Sequence, residues 1–466
     1  MSTYSRALNH HLPAGGGDFA TRAVNGSTAS ADRRLLWLAI IVVGMVFFFV
    51  AHNFQVSQYE RYAPWSDADD TLEAAGQNWA KGLALSMIGL LGVCLALRRD
   101  GRPLRATGWL PALMIFYLVW SATSVLWSID PGTSCRRLAV LTFCIAGAIG
   151  FARQFRPRDV AVMAAVIAGS YLLVGVCTEL ALGTFRPWSP EYRFAGTVHP
   201  NTQGANLGIL CLASLCLART ETRLARSATR GRAGLWMLFA VGLIFLLLTK
   251  SRTSCAALAL ALAVLWLVGA SGRTRMLAAV AAALVVCVAA LAGSMIGGAV
   301  DDKVAEIAML GRQDESEALT GRIPLWSELA NYIGARPWEG YGYESFWTTK
   351  HIEAISDEME WPLREAHNAY IDGVLSVGLI GVVTFLAIVL AGLYRTADAY
   401  RRTADPGFAL TVCLLVFGLA SAGLESGLMS PNFITLMAGS GVVQLAFGGK
   451  DFDAAAGGCV STSAAT

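Results

Sequence analysis

The chain has 466 residues, 55% of them hydrophobic and 15% charged, with a formal net charge of +3 and a mean hydropathy of +0.52. Soluble domains carry about 25% charged residues, and apolar runs of about 20 residues mark membrane spans. A soluble enzyme, a disordered chain and a nucleic-acid binder are thereby excluded, and the expected fold class is an all-α polytopic membrane protein. Of the ten cysteines, only Cys135 and Cys459 fall in polar stretches; the rest read as small packing residues. No CxxC or Cys/His ligand spacing occurs, so no disulfide scaffold, structural metal or cofactor is expected.

In chain order, residues 1–34 read as a flexible tail with Gly15-Gly16-Gly17. Nine apolar segments occupy 35–297, at 35–52, 79–97, 108–128, 137–152, 160–182, 204–218, 233–249, 253–270 and 276–297. The first is too long for the core of a cleavable signal, and the fourth and sixth are short for a span. A polar, aromatic and acidic stretch follows at 298–368. Three further segments, 369–393, 407–424 and 428–447, precede a second small-residue tail at 448–466. The pattern predicts about 12 transmembrane helices with one long, partly helical loop between the ninth and tenth. Inside that loop, 316–328 and 353–360 have helix-compatible composition, with Pro324, Pro337 and Pro362 as punctuation.

Arginine placement sets the orientation. With the N-terminus cytoplasmic, the short inner loops hold Arg98, Arg99, Arg102 and Arg105, then Arg153, Arg156 and Arg158, then Arg219 to Arg232, and finally Arg395, Arg401 and Arg402. This is the positive-inside bias. Both termini are then cytoplasmic, and the 298–368 loop faces outward. Loops of that length in a compact protein are usually functional.

Several outward residues exceed what topology requires. Lys250 and Arg252 stand in the very short turn TKSRTS, against the positive-inside bias; guanidinium groups hold phosphate oxygens, although snorkelling toward lipid headgroups accounts for the pair equally simply. Arg322 opens GRIPLW beside the acidic run 314–317, so it reads as a phosphate ligand or as one half of a salt bridge. Arg193, His199 and Asn201 lie in YRFAGTVHPN, and Arg136 follows WSIDPGTSC. His367, in EAHNAY where the long loop re-enters the membrane, is the best acid–base candidate, because an imidazole accepts a proton at neutral pH. Asn368 beside it also reads as a helix cap. The loop aromatics, Trp326, Trp338 and Tyr341 among them, are sugar platforms or an interfacial belt. Asp67, Asp69 and Asp70 could hold a divalent metal but resemble an acidic helix start. A transporter or flippase would place ionisable groups near the bilayer midplane. Here the spans are nearly free of charge, Glu179 toward the end of the fifth excepted, which favours an enzyme at the outer surface.

The order of WSIDP, RFAGTVHPN, KSRT, GRIPLW with ARPWEGYGYESF, and HNAYIDGVLSVGLIG resembles the bacterial O-antigen ligase and polymerase superfamily over roughly 120–385. The resemblance implies an inverting, metal-independent glycosyltransferase at the outer face of the bacterial inner membrane. Its donor would be an undecaprenyl-diphosphate-linked glycan and its acceptor a glycan or lipid A-core, with room for a chain-length regulator. His367 matches the histidine implicated in activating the acceptor hydroxyl, Arg322 and Arg252 the arginines thought to hold the diphosphate, and His199 and Asn201 the HPN signature. Lys250 joins the expected diphosphate site. Arg193, Arg136, Trp326, Trp338, Tyr341, Asn368 and Tyr370 are expected around the sugars. Ser376 stands where many members carry an acid, and Ser254 replaces a commoner glycine.

Overall fold

The computed structural model describes residues 18–51, 79–106, 108–190, 192–220, 229–272, 274, 316–359, 363 and 365–448. Among these the regular structure is helical, without a strand. The helices are α1 (Asp18–Ala51), α2 (Trp79–Leu97), α3 (Trp109–Thr123, continued by a 3-10 turn, Ser124–Trp127), α4 (Pro131–Gln154), α5 (Pro157–Ala181), α6 (Pro200–Thr220), α7 (Thr229–Leu248) and α8 (Arg252–Gly269). They continue as α9 (Ser316–Ala335), α10 (Thr349–Met359), α11 (Ala369–Thr403), α12 (Pro406–Ser421) and α13 (Phe433–Phe447). Among the described residues, eight candidate spans are long and apolar enough to cross a membrane: Arg33–Ala51 of α1, then α2, α3, α4, α5, α7, α8 and α11. The shorter α12 and α13 are also apolar. The chain is therefore a multi-pass helical membrane protein. The ninth expected segment, 276–297, lies outside the described residues, as do Asp67, Asp69 and Asp70.

Element ends differ from the apolar runs for identifiable reasons. α4 begins six residues before its apolar run, because the Asp130 carboxylate caps it by accepting from the Thr133 N–H at 3.0 Å, with Pro131 at the first helical position. α6 extends beyond 204–218 at both ends and is not among the spans apolar enough to stand in lipid. It does not need to be, since Leu207 and Ile209 to Ala213 are fully buried. α9 runs through Pro324, which was expected as punctuation; the ring is exposed, and its missing N–H leaves one intrahelical bond unmade.

The contact between α2 and α4 depends on small residues. A Cβ on Gly92 of α2 would lie 2.3 Å from the Ala146 carbonyl oxygen, and one on Gly150 of α4 would lie 2.3 Å from the Gly92 carbonyl oxygen. Helix association in lipid relies on such backbone approach.

α11 is interrupted at Gly378, whose φ of 67° lies in the left-handed region. Segment 337–344 docks into the break: Leu379 N–H donates to the Pro337 carbonyl at 2.9 Å and Tyr341 N–H to the Leu375 carbonyl at 2.8 Å. Trp120 Nε1 takes the Val377 carbonyl at 2.9 Å, and the Ser376 hydroxyl accepts from Glu344 N–H at 2.7 Å. Irregular backbone at membrane depth is tolerated where protein satisfies it, and the loop supplies that here.

Candidate functional site at one end of the bundle

The C-terminal ends of α5, α7 and α12 and the N-terminal ends of α6, α8, α11 and α13 meet at one end of the bundle. Phe194 N–H reaches the Leu248 carbonyl at 2.8 Å, and Ala369 N–H reaches that of Ala422 at 2.8 Å. Arg98, Arg153, Arg402 and Arg395 lie at the other helix ends. Glu179, the one acid noted within the spans, is fully buried and shapes the RFAGTVHPN loop. Its carboxylate accepts from the Tyr192 hydroxyl at 2.5 Å, Ala195 N–H at 3.0 Å and Gly196 N–H at 2.7 Å.

At the meeting point lies the short connection 422–432 between α12 and α13. Its Glu425 carboxylate accepts from Asn201 Nδ2 at 2.9 Å. Asn201 in turn accepts from Arg193 Nη2 at 3.0 Å, and Arg193 Nε binds the Thr249 carbonyl at 3.0 Å. Arg322 Nη1 donates to the Leu424 carbonyl at 3.1 Å, and Asn368 Nδ2 to that of Gly423 at 3.2 Å. Burial pushes the Glu425 carboxyl above the ordinary carboxylate range. The Arg322 guanidinium, the facing His367 and the Asn201 bond pull it down, while the Glu365 carboxylate pushes it up. Arg322, His367 and Asn201 thus converge on one acid, although the long loop, the α11 entry and the α6 entry are far apart in the chain.

His367 stands in a left-handed turn, with φ of 49°. Its side chain is 28% exposed, and Nδ1 lies 3.2 Å from the Glu365 carboxylate. Asn368 caps α11: its Oδ1 accepts from Tyr370 N–H at 3.0 Å and Ile371 N–H at 3.2 Å. Tyr370 donates its hydroxyl to the Leu419 carbonyl at 2.8 Å. Trp326 Nε1 donates to the Ala366 carbonyl at 2.9 Å, which brings this aromatic to the His367 turn.

Other expected residues stand apart. The Lys250 ammonium, in a residue with positive φ, is on the Pro190 carbonyl. Arg136 is exposed and bonds Thr133 Oγ1 at 2.8 Å. Tyr341 is buried and gives its hydroxyl to the Tyr332 carbonyl at 2.8 Å, with the Arg336 guanidinium 5.0 Å above its ring. Trp338 is 62% exposed, and its backbone faces the α11 break. His199 is exposed, its Nδ1 accepting from Asn201 N–H at 3.3 Å. Arg252 begins α8, where Ser251 packs on Gly204 of α6, which brings the SRTS turn beside the HPN helix. Glu365 and Glu425 were missed in sequence: one is an ordinary-looking loop acid, the other an acid beside an apolar run.

A cavity of about 340 Å³ opens behind the 422–432 connection. Phe47, Tyr171, Phe417 and Phe433 form apolar walls, and Asn201, Ser254 and Glu425 are among its polar groups. Among the described residues, no Lys or Arg lines it. Among the described residues, no three His, Cys, Asp or Glu side chains are grouped as metal ligands.

The fold and site thus define a polytopic helical membrane protein with a polar, ionisable cluster at one end of its bundle. Residues 237–386 match the family model described as O-antigen ligase. A stretch of 182 residues, 39% of the chain, is 30% identical to an O-antigen ligase of Pseudomonas aeruginosa PAO1 and covers 38% of that relative's length. Through this region the chain is similar to O-antigen ligases, and it spans well under half the length of the relative it matches. The family match includes Lys250, Arg252, Arg322, His367 and Asn368, and ends before Glu425.

Proposed function

We propose that this chain is a glycosyl-transferring membrane enzyme that polymerises or transfers a glycan carried on undecaprenyl diphosphate. Its site lies at the outer face of the bacterial cytoplasmic membrane, with the arginine-rich helix ends cytoplasmic. One observation carries the reading: the convergence of Arg322, His367 and Asn201 around Glu425.

In this reading the acceptor hydroxyl attacks the anomeric carbon from the face opposite the diphosphate, which inverts the configuration. With the Nδ1 proton of His367 on Glu365, Nε2 takes the hydroxyl proton as the new bond forms. A positioned base of this kind contributes about 10²–10⁴-fold. Diphosphate leaves with its negative charge spread over its oxygens, and the guanidinium of Arg322 neutralises it, with Arg252 as the second cation. Such electrostatic contributions are worth about 3–4 kcal/mol each, so a metal is dispensable. The aromatic walls of the cavity suit sugar faces.

The acceptor separates polymerase from ligase. Our slight preference is for polymerase, because nothing in the sequence points to a lipid A-core acceptor, while the P. aeruginosa relative is named a ligase. The test is the set of saccharides on undecaprenyl diphosphate in a strain lacking the protein, sized by gel and mass spectrometry. Single repeat units without long polymer establish a polymerase, and long lipid-linked chains that never reach lipid A-core establish a ligase. A normal profile in both respects overturns the proposal.

A further inference from the structure

His367 is held in a backbone conformation that non-glycine residues seldom adopt, with φ of 49°. Such a conformation is strained and persists only where its surroundings over-determine it. The restraints are visible on both sides. After His367, Asn368 caps α11 and reaches the Gly423 carbonyl at 3.2 Å. Before it, Ala366 is gripped twice: its carbonyl accepts from Trp326 Nε1 at 2.9 Å, and its N–H donates to Asp372 Oδ1 at 3.1 Å.

Asp372 is the residue through which these restraints meet. It lies in the first turn of α11, and its own N–H donates to the Asn368 carbonyl at 3.0 Å. Besides Ala366 N–H, Oδ1 accepts from Trp347 Nε1 at 2.8 Å, and Oδ2 accepts from the Ser426 hydroxyl. One carboxylate therefore joins the end of the Phe346-Trp347 segment, the residue before His367, and the 422–432 connection that carries Glu425. A carboxylate has acceptor sites only, about four of them, which suits a position facing three separate donors. Its hydrogen bonds go to the backbone before His367 and to the segments packed around that turn, so it acts on the chemistry through the turn it holds.

We infer that Asp372 is a positioning residue, which fixes the strained turn that presents the His367 imidazole to the Arg322–Glu425 end of the site. The inference rests on His367 being the proton acceptor. Loss of the carboxylate frees Ala366 N–H and lets the turn relax toward ordinary φ values, moving the ring away from its working position while the donor-binding cations stay in place. Near-attack geometry is sensitive on this scale, since a misplacement of about 1 Å can cost about a hundredfold in rate.

The experiment uses the full-length protein in proteoliposomes, with lipid-linked donor extracted from a strain lacking the protein. Asp372→Ala is expected to lower kcat ten- to a hundredfold with the donor KM within about twofold. Asp372→Asn retains an oxygen for Ala366 and Trp347 and is expected to recover kcat to within about threefold. A wild-type kcat in Asp372→Ala, a loss confined to KM, or equal losses in the Ala and Asn variants would overturn the inference. In the double variant with His367→Ala, Asp372→Ala is expected to add no further loss, because it acts through that ring; multiplying losses overturn it. Should Asp372→Ala fail to accumulate in the membrane, Ser426→Ala and Trp347→Phe each remove one donor. Lowered kcat at unchanged KM in at least one of them supports the inference, and wild-type rates in both overturn it. Full turnover by His367→Ala alone brings down the acid–base reading itself, a separate failure.

Discussion

Asn201, in the first turn of α6, donates its side-chain amide to the Glu425 carboxylate 2.9 Å away, a bond between positions 224 residues apart. Asn201 Oδ1 is at the same time held by Arg193, so the amide is fixed from both sides and Glu425 receives a neutral donor. Replacing Asn201 by aspartate removes that donor and sets two carboxylates against each other, which raises the affinity of the pair for a proton. We expect Asn201→Asp to lose about ten- to a hundredfold in activity at pH 8 and to regain part of it at pH 6. Turnover of lipid-linked donor at the two pH values, with the protein level checked by immunoblot, measures this.

Arg322→Lys keeps the charge but not the fork. A single ammonium cannot make the paired contacts that a guanidinium offers a diphosphate, nor hold the Leu424 carbonyl at the same time. The expected outcome is a loss of at least tenfold in polysaccharide, with the protein present at normal levels. Near-normal polysaccharide would remove Arg322 from the diphosphate clamp.

Gly378→Ala tests how the long loop is seated. The added Cβ would lie 2.0 Å from the Trp338 carbonyl oxygen in a residue whose φ already disfavours a side chain. The loop cannot stay docked, and the expectation is little folded protein in detergent-solubilised membranes. Normal accumulation and activity would show that docking at the break is dispensable.

Glu425 carries a pH dependence whose sign follows from its raised pKa. The folded state binds the Glu425 proton more tightly than the unfolded state, so its contribution to stability is fully present at acid pH. That contribution is lost as pH rises through the raised value. The Asn201 bond and the Arg322 guanidinium limit the loss, and Glu365 adds to it. Glu425→Gln retains an acceptor for Asn201 and cannot ionise. Its apparent melting temperature in detergent is therefore expected to exceed that of the wild type at pH 8 and to converge with it near pH 4. A lower value at pH 8 would contradict this sign.

The sequence made the membrane helices legible, because apolar runs of span length leave few alternatives: α2, α5, α7 and α8 follow their runs within a few residues. It could not show the break in α11, since the run around Gly378 is continuously apolar and only the docked loop reveals the interruption. α6 was hard to bound because a helix buried by its neighbours needs no uniform apolar surface. At the site, the basic residues and His367 stood out as outward charges with no topological reason. Tyr341 did not separate from a sugar platform, because burial against Tyr332 and Phe346 leaves no mark on composition. Glu425, Glu365 and Asp372 escaped notice because their meaning lies in contacts with distant segments.

The most direct test of the account is the release of undecaprenyl diphosphate from lipid-linked donor by the protein in proteoliposomes, comparing wild type and His367→Ala in EDTA. The account predicts continued release by the wild type and a loss of at least about a hundredfold in the variant. Wild-type release by His367→Ala would contradict it. So would complete loss by the wild type that magnesium or manganese restores, since neither a proton acceptor at His367 nor a guanidinium clamp would then be carrying the transfer.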